Sequence, residues 1–316
     1  MNKITIIGSG SVGSTIAYTL TVQGIASEII LIDINQEKAA GEALDIRQGA
    51  SFSASSSVYA GSYPDAADSD IVILACGIAR RPGQTRLDLA QVNVDITKKI
   101  IPEIVRYAPN AVYLIVSNPV DILTYTFFKR SGLPENQIIG SGTLLDTARL
   151  RARLSECYTI NQKNVHAYVL GEHGDTSFVP WSLANVSNIP IKEGQNLSLG
   201  SASHLQRPVV DFAEIENYVR KSGSRIIERK GATFYAVSMS VCHLSRTILS
   251  GIDTTMTVST LLHGEYGIDD VCLSLLSVVN NTGVSGKVLL PLNDNEIRAL
   301  HKSADTLRAL IKQLDI

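Results

Sequence analysis

Along the first 140 or so positions, apolar residues come in short continuous runs separated by stretches of helical period. Ile4–Ile7, Ile29–Ile32, Ser57–Ala60, Ile71–Ala75 and Val112–Val116 read as strands. Helical patterns cover Val12–Gln23 and Glu37–Gln48, and recur between the last two strands and after Pro119. The run at Ile71 (IVILAC) has almost no polar alternation, as in a strand covered on both faces of a parallel sheet. Strands alternating with helices over short connections predict a doubly wound α/β domain, residues 1–142.

Beyond residue 142 the pattern changes. A helix is expected over Leu144–Cys157, then an apolar run at Val165–Leu170 and a polar stretch around Glu193–Ser203. Two long helices follow, near Asp211–Glu228 and Ala232–Leu249. Strands over Val258–His263, Val271–Val279 and Lys287–Leu290 and a helix over Asn293–Leu314 complete the pattern. This predicts a second, α+β domain over 143–316, without internal repeats. The serine-rich segment Ser51–Ser57 reads as a turn rather than a linker.

Composition narrows the class. The chain has 316 residues, 45% apolar and 18% charged, enough to build a real core in two domains. A net charge of −2 gives no basic excess, so neither a nucleic acid nor an anionic membrane is an expected partner. Cys76, Cys157, Cys242 and Cys272 are far apart, with no CxxC pair. No disulfide framework, zinc ribbon or other metal site is therefore expected, and the thiols fit a reducing, cytoplasmic setting. The N-terminal MNKITIIG runs into a glycine turn too soon for a secretion signal. No window reaches the roughly 18–20 apolar residues that a membrane helix needs.

Gly8-Ser9-Gly10-Ser11-Val12-Gly13 has the spacing GxGxxG. It follows a predicted strand, opens a predicted helix, and lies twenty residues before Asp33 at the end of the next strand. Together these form the dinucleotide-binding fingerprint of the Rossmann fold. Gly8 permits the tight turn, Gly10 the approach of a pyrophosphate, and Gly13 close helix–strand packing. Free N–H groups at the helix start, around Val12, favour the anion. Asp33 suits a ribose diol and repels a 2′-phosphate, so the expected cofactor is NAD rather than NADP.

Three further segments carry candidate chemistry. In Val169–Thr176 (VLGEHGDT), His173 sits between glycines after an apolar run, as in a tight turn at a domain edge. In Leu145–Arg151 (LDTARLR), Asp146 and Arg149 share one helix face. That pair reads either as a surface ion pair or as site residues, the Asp orienting a histidine and the Arg forking onto a carboxylate. Gly77–Arg86 (GIARRPGQTR) follows a strand to the carboxyl edge of the sheet, where ligands bind. Its three arginines read either as a solvated loop or as a lid that brings a cation to an anionic substrate.

With these segments in view, the sequence resembles the L-lactate/malate dehydrogenase family over essentially its whole length. The likeness rests on GSGSVG, Asp33, TRLDL, SNPVDILTY (Ser117–Tyr125), LLDTARLR, GEHGDTSFVPWS and KGATFY (Lys230–Tyr235). It implies that His173 is the acid/base toward a 2-oxo or 2-hydroxy acid, with Asp146 fixing its tautomer and raising its pKa. It further implies that Arg149 binds the substrate carboxylate, and that Arg86 on the lid polarises the carbonyl. Asn118 is implied to hydrogen-bond the substrate or nicotinamide region, and Thr233 to border the substrate pocket.

The same resemblance divides over substrate. GEHGD followed by WS, with Asn118 and Thr233, is similar to the lactate branch. Arg80, six residues before Arg86, stands where malate enzymes carry an arginine and lactate enzymes a glutamine. A buried guanidinium facing a methyl group is costly, so an inward Arg80 favours a dicarboxylate. Lactate dehydrogenase is the expectation, with malate or dual specificity as the alternative. The resemblance also implies a homo-oligomer, a tetramer or else a dimer. Arg151 and His166 match positions that bind fructose 1,6-bisphosphate in regulated bacterial members. Two other classes share the cofactor fingerprint. A non-catalytic NAD-binding protein would have little need for His173, Asp146, Arg149 and Arg86 together. NAD-dependent epimerases use a Tyr-x-x-x-Lys pair, and the sequence is read as having none, which counts against that class.

Overall fold

A computed structural model describes residues 2–53, 56–78, 85–191 and 210–316. The chain runs β1 (Lys3–Ile7), α1 (Ser11–Val22), β2 (Glu28–Ile32), α2 (Gln36–Gly49), β3 (Ser57–Ala60) and β4 (Ile71–Leu74). Next come α3 (Arg86–Tyr107), β5 (Val112–Ile115), α4 (Val120–Ser131), β6 (Ile138–Gly140), α5 (Leu144–Tyr158) and β7 (Val165–His166). Then follow β8 (Asn185–Val186), β9 (Ile189–Pro190), α6 (Phe212–Lys230), α7 (Tyr235–Ser250), β10 (Thr254–Glu265), β11 (Ile268–Asn280), β12 (Gly283–Lys287) and α8 (Asp294–Ile311).

The main sheet has the order β12-β11-β10-β6-β5-β4-β1-β2-β3, with β1 to β6 all parallel. Strands β4 and β5 are buried at every position, as their unbroken apolar runs require. Strand order reverses between β1 and β4, so a crevice opens at their carboxyl ends. This is the doubly wound α/β fold with a second α/β part built on it. Helix boundaries follow local chemistry. Thr85 caps α3 in a capping box with Asp88, Asn293 caps α8 with Glu296, and Gly132 and Gly251 end α4 and α7 in the left-handed conformation.

The second half differs from its predicted form in two ways, at Val165–Leu170 and at the last strand. The placement of the hairpin β10–β11 had no prediction. The hairpin extends the first sheet through Ser259 opposite Gly140, a junction without side-chain bulk where an added Cβ would lie 2.9 Å from Ser259 Cβ. The run Val165–Leu170 gives only the two-residue β7, because Val169 turns its main chain to α5 and Leu170 bridges Phe178. The last strand covers Gly283–Lys287 rather than Lys287–Leu290, since the turn at Asn281–Thr282 sets pairing with β11 despite weak strand formers. The predicted polar stretch around Glu193–Ser203 and the tip of the Gly77–Arg86 segment lie outside the described residues. Among the described residues, no helix is long and apolar enough to cross a membrane.

Candidate active site

The glycine turn between β1 and α1 is built by close approach. Gly8 has φ +101°, and a Cβ there would lie 2.7 Å from the Cys76 main chain. A Cβ on Gly13 would lie 1.8 Å from the Gly8 carbonyl oxygen. Gly10 differs: nothing lies within 4 Å of an added Cβ, so this position opens onto free space. Val12 lies in the first turn of α1, half-buried, with the helix N–H groups around it.

At the end of β2, Asp33 accepts N–H hydrogen bonds from Ser9 (2.7 Å) and Asn35 (2.9 Å). Burial would raise its pKa, but these N–H donors outweigh burial and hold the carboxyl below the usual range. A groove of about 640 Å³ runs along this edge, lined by Gly8, Gly10, Asp33, Ile34, Tyr63 and Ile96 among others. An anion-favouring helix start, an open glycine, a charged acceptor and apolar walls fit a dinucleotide carrying a free ribose diol.

The second cluster forms where α5 meets the turn after Leu170. Asp146 is 6% exposed in the first turn of α5. Its Oδ2 lies 2.6 Å from His173 Nδ1, and its Oδ1 accepts a hydrogen bond from Arg149 at 2.9 Å. One carboxylate thus ties both cations, each by its own oxygen. Burial disfavours the charged imidazole, but the Asp146 carboxylate, helped by Asp121, outweighs it and holds His173 up at about 9. The same pairing holds Asp146 below the usual carboxylate range against its own burial. Nδ1 is occupied and about a quarter of the side chain is exposed (26%). The imidazolium can therefore offer its Nε2 proton to a group arriving from outside.

Of the two readings of the Asp146–Arg149 pair, the surface one does not hold: the Arg149 side chain is 14% exposed. Its NH2 approaches Gly223 of α6, 3.9 Å from the position of an added Cβ. Asn118 is exposed just after β5, and its carbonyl accepts from Asn93 Nδ2 at 2.7 Å. Thr233 is half-buried before α7. Arg86 opens α3, but its side chain, like Arg80, lies outside the described residues. Arg151 points away from Asp146: its Nε donates to the Ala167 carbonyl (3.0 Å) and its guanidinium lies over the Tyr168 ring. His166 is exposed beside Ala167.

Sequence reading missed several supports of the His173 turn. Thr143 donates to the Val169 carbonyl (2.5 Å), and Thr147 accepts from the Val169 N–H (2.9 Å). Ser303 of α8 donates to the Thr176 carbonyl (2.7 Å). Asp121 accepts from the His173 N–H itself (2.7 Å). Asp121 lies in the first turn of α4, where an acid is ordinary, so nothing local marks its tie to a turn 52 residues away. A Tyr-x-x-x-Lys spacing also went unread, Tyr125 with Lys129. Both side chains are committed to Asp270 of β11, at 3.1 and 2.8 Å, and not to the cofactor groove.

Residues 2–140 match the profile of a lactate/malate dehydrogenase NAD binding domain, and residues 143–315 that of a lactate/malate dehydrogenase alpha/beta C-terminal domain. An L-lactate dehydrogenase of Thermoanaerobacter pseudethanolicus is 47% identical over 317 residues, covering all of both chains. One of Acetivibrio thermocellus is 45% identical, covering all of this chain and 98% of the other. Among solved structures, a minor L-lactate dehydrogenase from Enterococcus mundtii in ligand-bound form superposes with TM-score 0.93 at 37% identity. That match covers all of this chain and 99% of the other.

Proposed function

The chain belongs to the lactate/malate dehydrogenase family of NAD-dependent oxidoreductases acting on a CH–OH group, and we propose that it interconverts pyruvate and L-lactate. The observation that carries the reading is the buried triad in which one carboxylate, Asp146, holds His173 by its ring and Arg149 by its guanidinium. NADH, when bound, supplies the hydride for the carbonyl carbon. Gly8, Gly10, Val12 and Gly13 would hold its pyrophosphate, Asp33 the adenosine ribose, and Asn118 the nicotinamide end.

His173 gives the Nε2 proton to the carbonyl oxygen as charge develops there; in reverse, Nε2 takes the hydroxyl proton. Asp146 fixes the donor tautomer and stabilises the imidazolium. Arg149 keeps guanidinium N–H groups beyond the one given to Asp146, and these fork onto the substrate carboxylate. Thr233 borders the pocket. Arg86 would polarise the carbonyl once the lid closes. Residues 1–142 would then carry the cofactor and 143–316 the proton donor and substrate clamp.

Malate as the substrate, raised by Arg80, is not favoured: the relatives and structural neighbours above are lactate dehydrogenases. The test is kcat/KM with NADH for pyruvate and oxaloacetate, on the protein and on Arg80→Gln. Pyruvate preference in the unmodified protein is expected. An oxaloacetate preference that reverses in Arg80→Gln would overturn it. His173→Gln should lose turnover while keeping NADH binding.

Three finer readings accompany this one. A homo-oligomer is supported by exposed apolar side chains on the packed helices α1 and α7, Tyr18, Val22, Tyr235 and Met239, and light scattering gives its size. Fructose 1,6-bisphosphate as an effector is supported by Arg151, which bonds the main chain next to His166. Absence of activation at millimolar bisphosphate would remove it. A cytoplasmic setting is supported by four free thiols.

A further inference from the structure

The His173 turn is held from two sides. Asp146 takes the ring, and Asp121 takes the main-chain N–H at 2.7 Å. The other Asp121 oxygen accepts the Ser259 hydroxyl of β10 at 2.5 Å. Asp121 lies in the first turn of α4, where the helix dipole favours negative charge, and it is 3% exposed. Burying a carboxylate with two hydrogen bonds is costly. Burial pushes its pKa up to about 6, against the hydrogen bonds from Ser259 and the His173 N–H.

An amide could make the same tie: its oxygen would accept from the His173 N–H, and its NH2 would donate to the Ser259 hydroxyl. The carboxylate therefore brings a charge that the tie itself does not need. The groups that share its field are His173 and Glu172 of the turn and Cys272 of β11, and from β10 the Ser259 hydroxyl donates to it. His173 is the cation among them.

We propose that Asp121 is a positioning residue for His173: it locks the main chain of the turn and adds a second negative charge that stabilises the imidazolium held by Asp146. This rests on the acid/base role of His173 given above. A purely structural tie would lower stability when cut but leave the His173 titration where it was.

The test is an NMR titration of the His173 ring in histidine-labelled protein without substrate, the signal assigned with His173→Gln. Asp121→Asn keeps the hydrogen bonds and removes the charge. Its His173 midpoint is expected to fall by about one pH unit. Asp121→Ala should shift the midpoint the same way and reduce kcat for pyruvate further, because the turn is released as well. A folded Asp121→Asn with an unmoved His173 midpoint overturns the proposal. If neither variant folds, Ser259→Ala removes one of the hydrogen bonds that keep Asp121 ionised. The small acid-side inflection that Asp121 imposes on the His173 signal must then move to higher pH, and an unmoved inflection overturns the proposal. The readout needs no turnover, so a protein that failed to reduce pyruvate would refute the proposed substrate while leaving this test intact.

Discussion

Replacing Asp146 by Asn tests the core of the site, and its size can be worked out. Asp146 serves two donors with two oxygens, His173 Nδ1 at 2.6 Å and Arg149 at 2.9 Å. An amide has one oxygen. If that oxygen stays with Arg149, the NH2 faces Nδ1 and forces it to accept, which an imidazolium cannot do. If the oxygen turns to His173, Arg149 faces an NH2. Both arrangements lose the main force that holds His173 at about 9, leaving burial and Arg149 to push it down against Asp121 alone. The midpoint should therefore fall to or below the ordinary 6.5. At pH 7 the protonated fraction then drops from about 99% to at most about a quarter. Loss of the tautomer and of the Arg149 clamp deepens the defect, so kcat/KM for pyruvate should fall by at least about 10²-fold. The assay is the pH profile of kcat/KM for pyruvate reduction with NADH. A profile in Asp146→Asn whose upper limb still lies near pH 9 would refute the reasoning, whatever the loss in rate.

The remaining predictions concern the clamp, the cofactor turn and stability. Arg149→Lys should lower kcat/KM for pyruvate by about 10²–10³-fold with NADH affinity unchanged, because an ammonium lacks the planar fork; normal pyruvate kinetics would contradict the assignment. Gly10→Ala should keep the thermal midpoint and weaken NADH binding, since its Cβ enters open space; Gly13→Ala, with a Cβ 1.8 Å from the Gly8 oxygen, should cost about 2–4 kcal/mol or prevent folding. His173 has a folded pKa raised from 6.5 to about 9, so its stabilisation is complete below pH 6.5 and is lost as pH rises through 9. Urea midpoints should therefore fall between pH 6.5 and 9.5, and His173→Gln should show a shallower fall; equal slopes would count against the raised pKa.

How legible each part was depended on the range of the interaction. The parallel strands could be read because a strand covered on both faces must be apolar at every position, as Ile71–Leu74 is. The close approaches at Gly8 and Gly13 were readable from the glycine spacing in its strand–turn–helix context, because that context fixes the geometry locally. The fate of the Val165–Leu170 run was not readable. At Val169 the main-chain groups are taken by Thr143, just before α5, and Thr147 of α5, which no local pattern announces. Asp121 stood in full view in SNPVDILTY, yet its partner is the main chain of His173, 52 residues on.

What the sequence by itself determined was local: the alternation of buried strands and amphipathic helices, the glycine turn with Asp33, and the residue types of the His173 cluster. Those depend on backbone geometry and side-chain chemistry within one or two elements. The tertiary structure decided which groups meet. It joined β10 to β6 into one sheet, gave each oxygen of Asp146 a different cation, and buried Asp121 behind the His173 turn. The physical reason is that hydrogen-bond partners and charge environments are set by contacts between distant segments. A carboxylate in the sequence is only a carboxylate until folding sets its neighbours and its share of water.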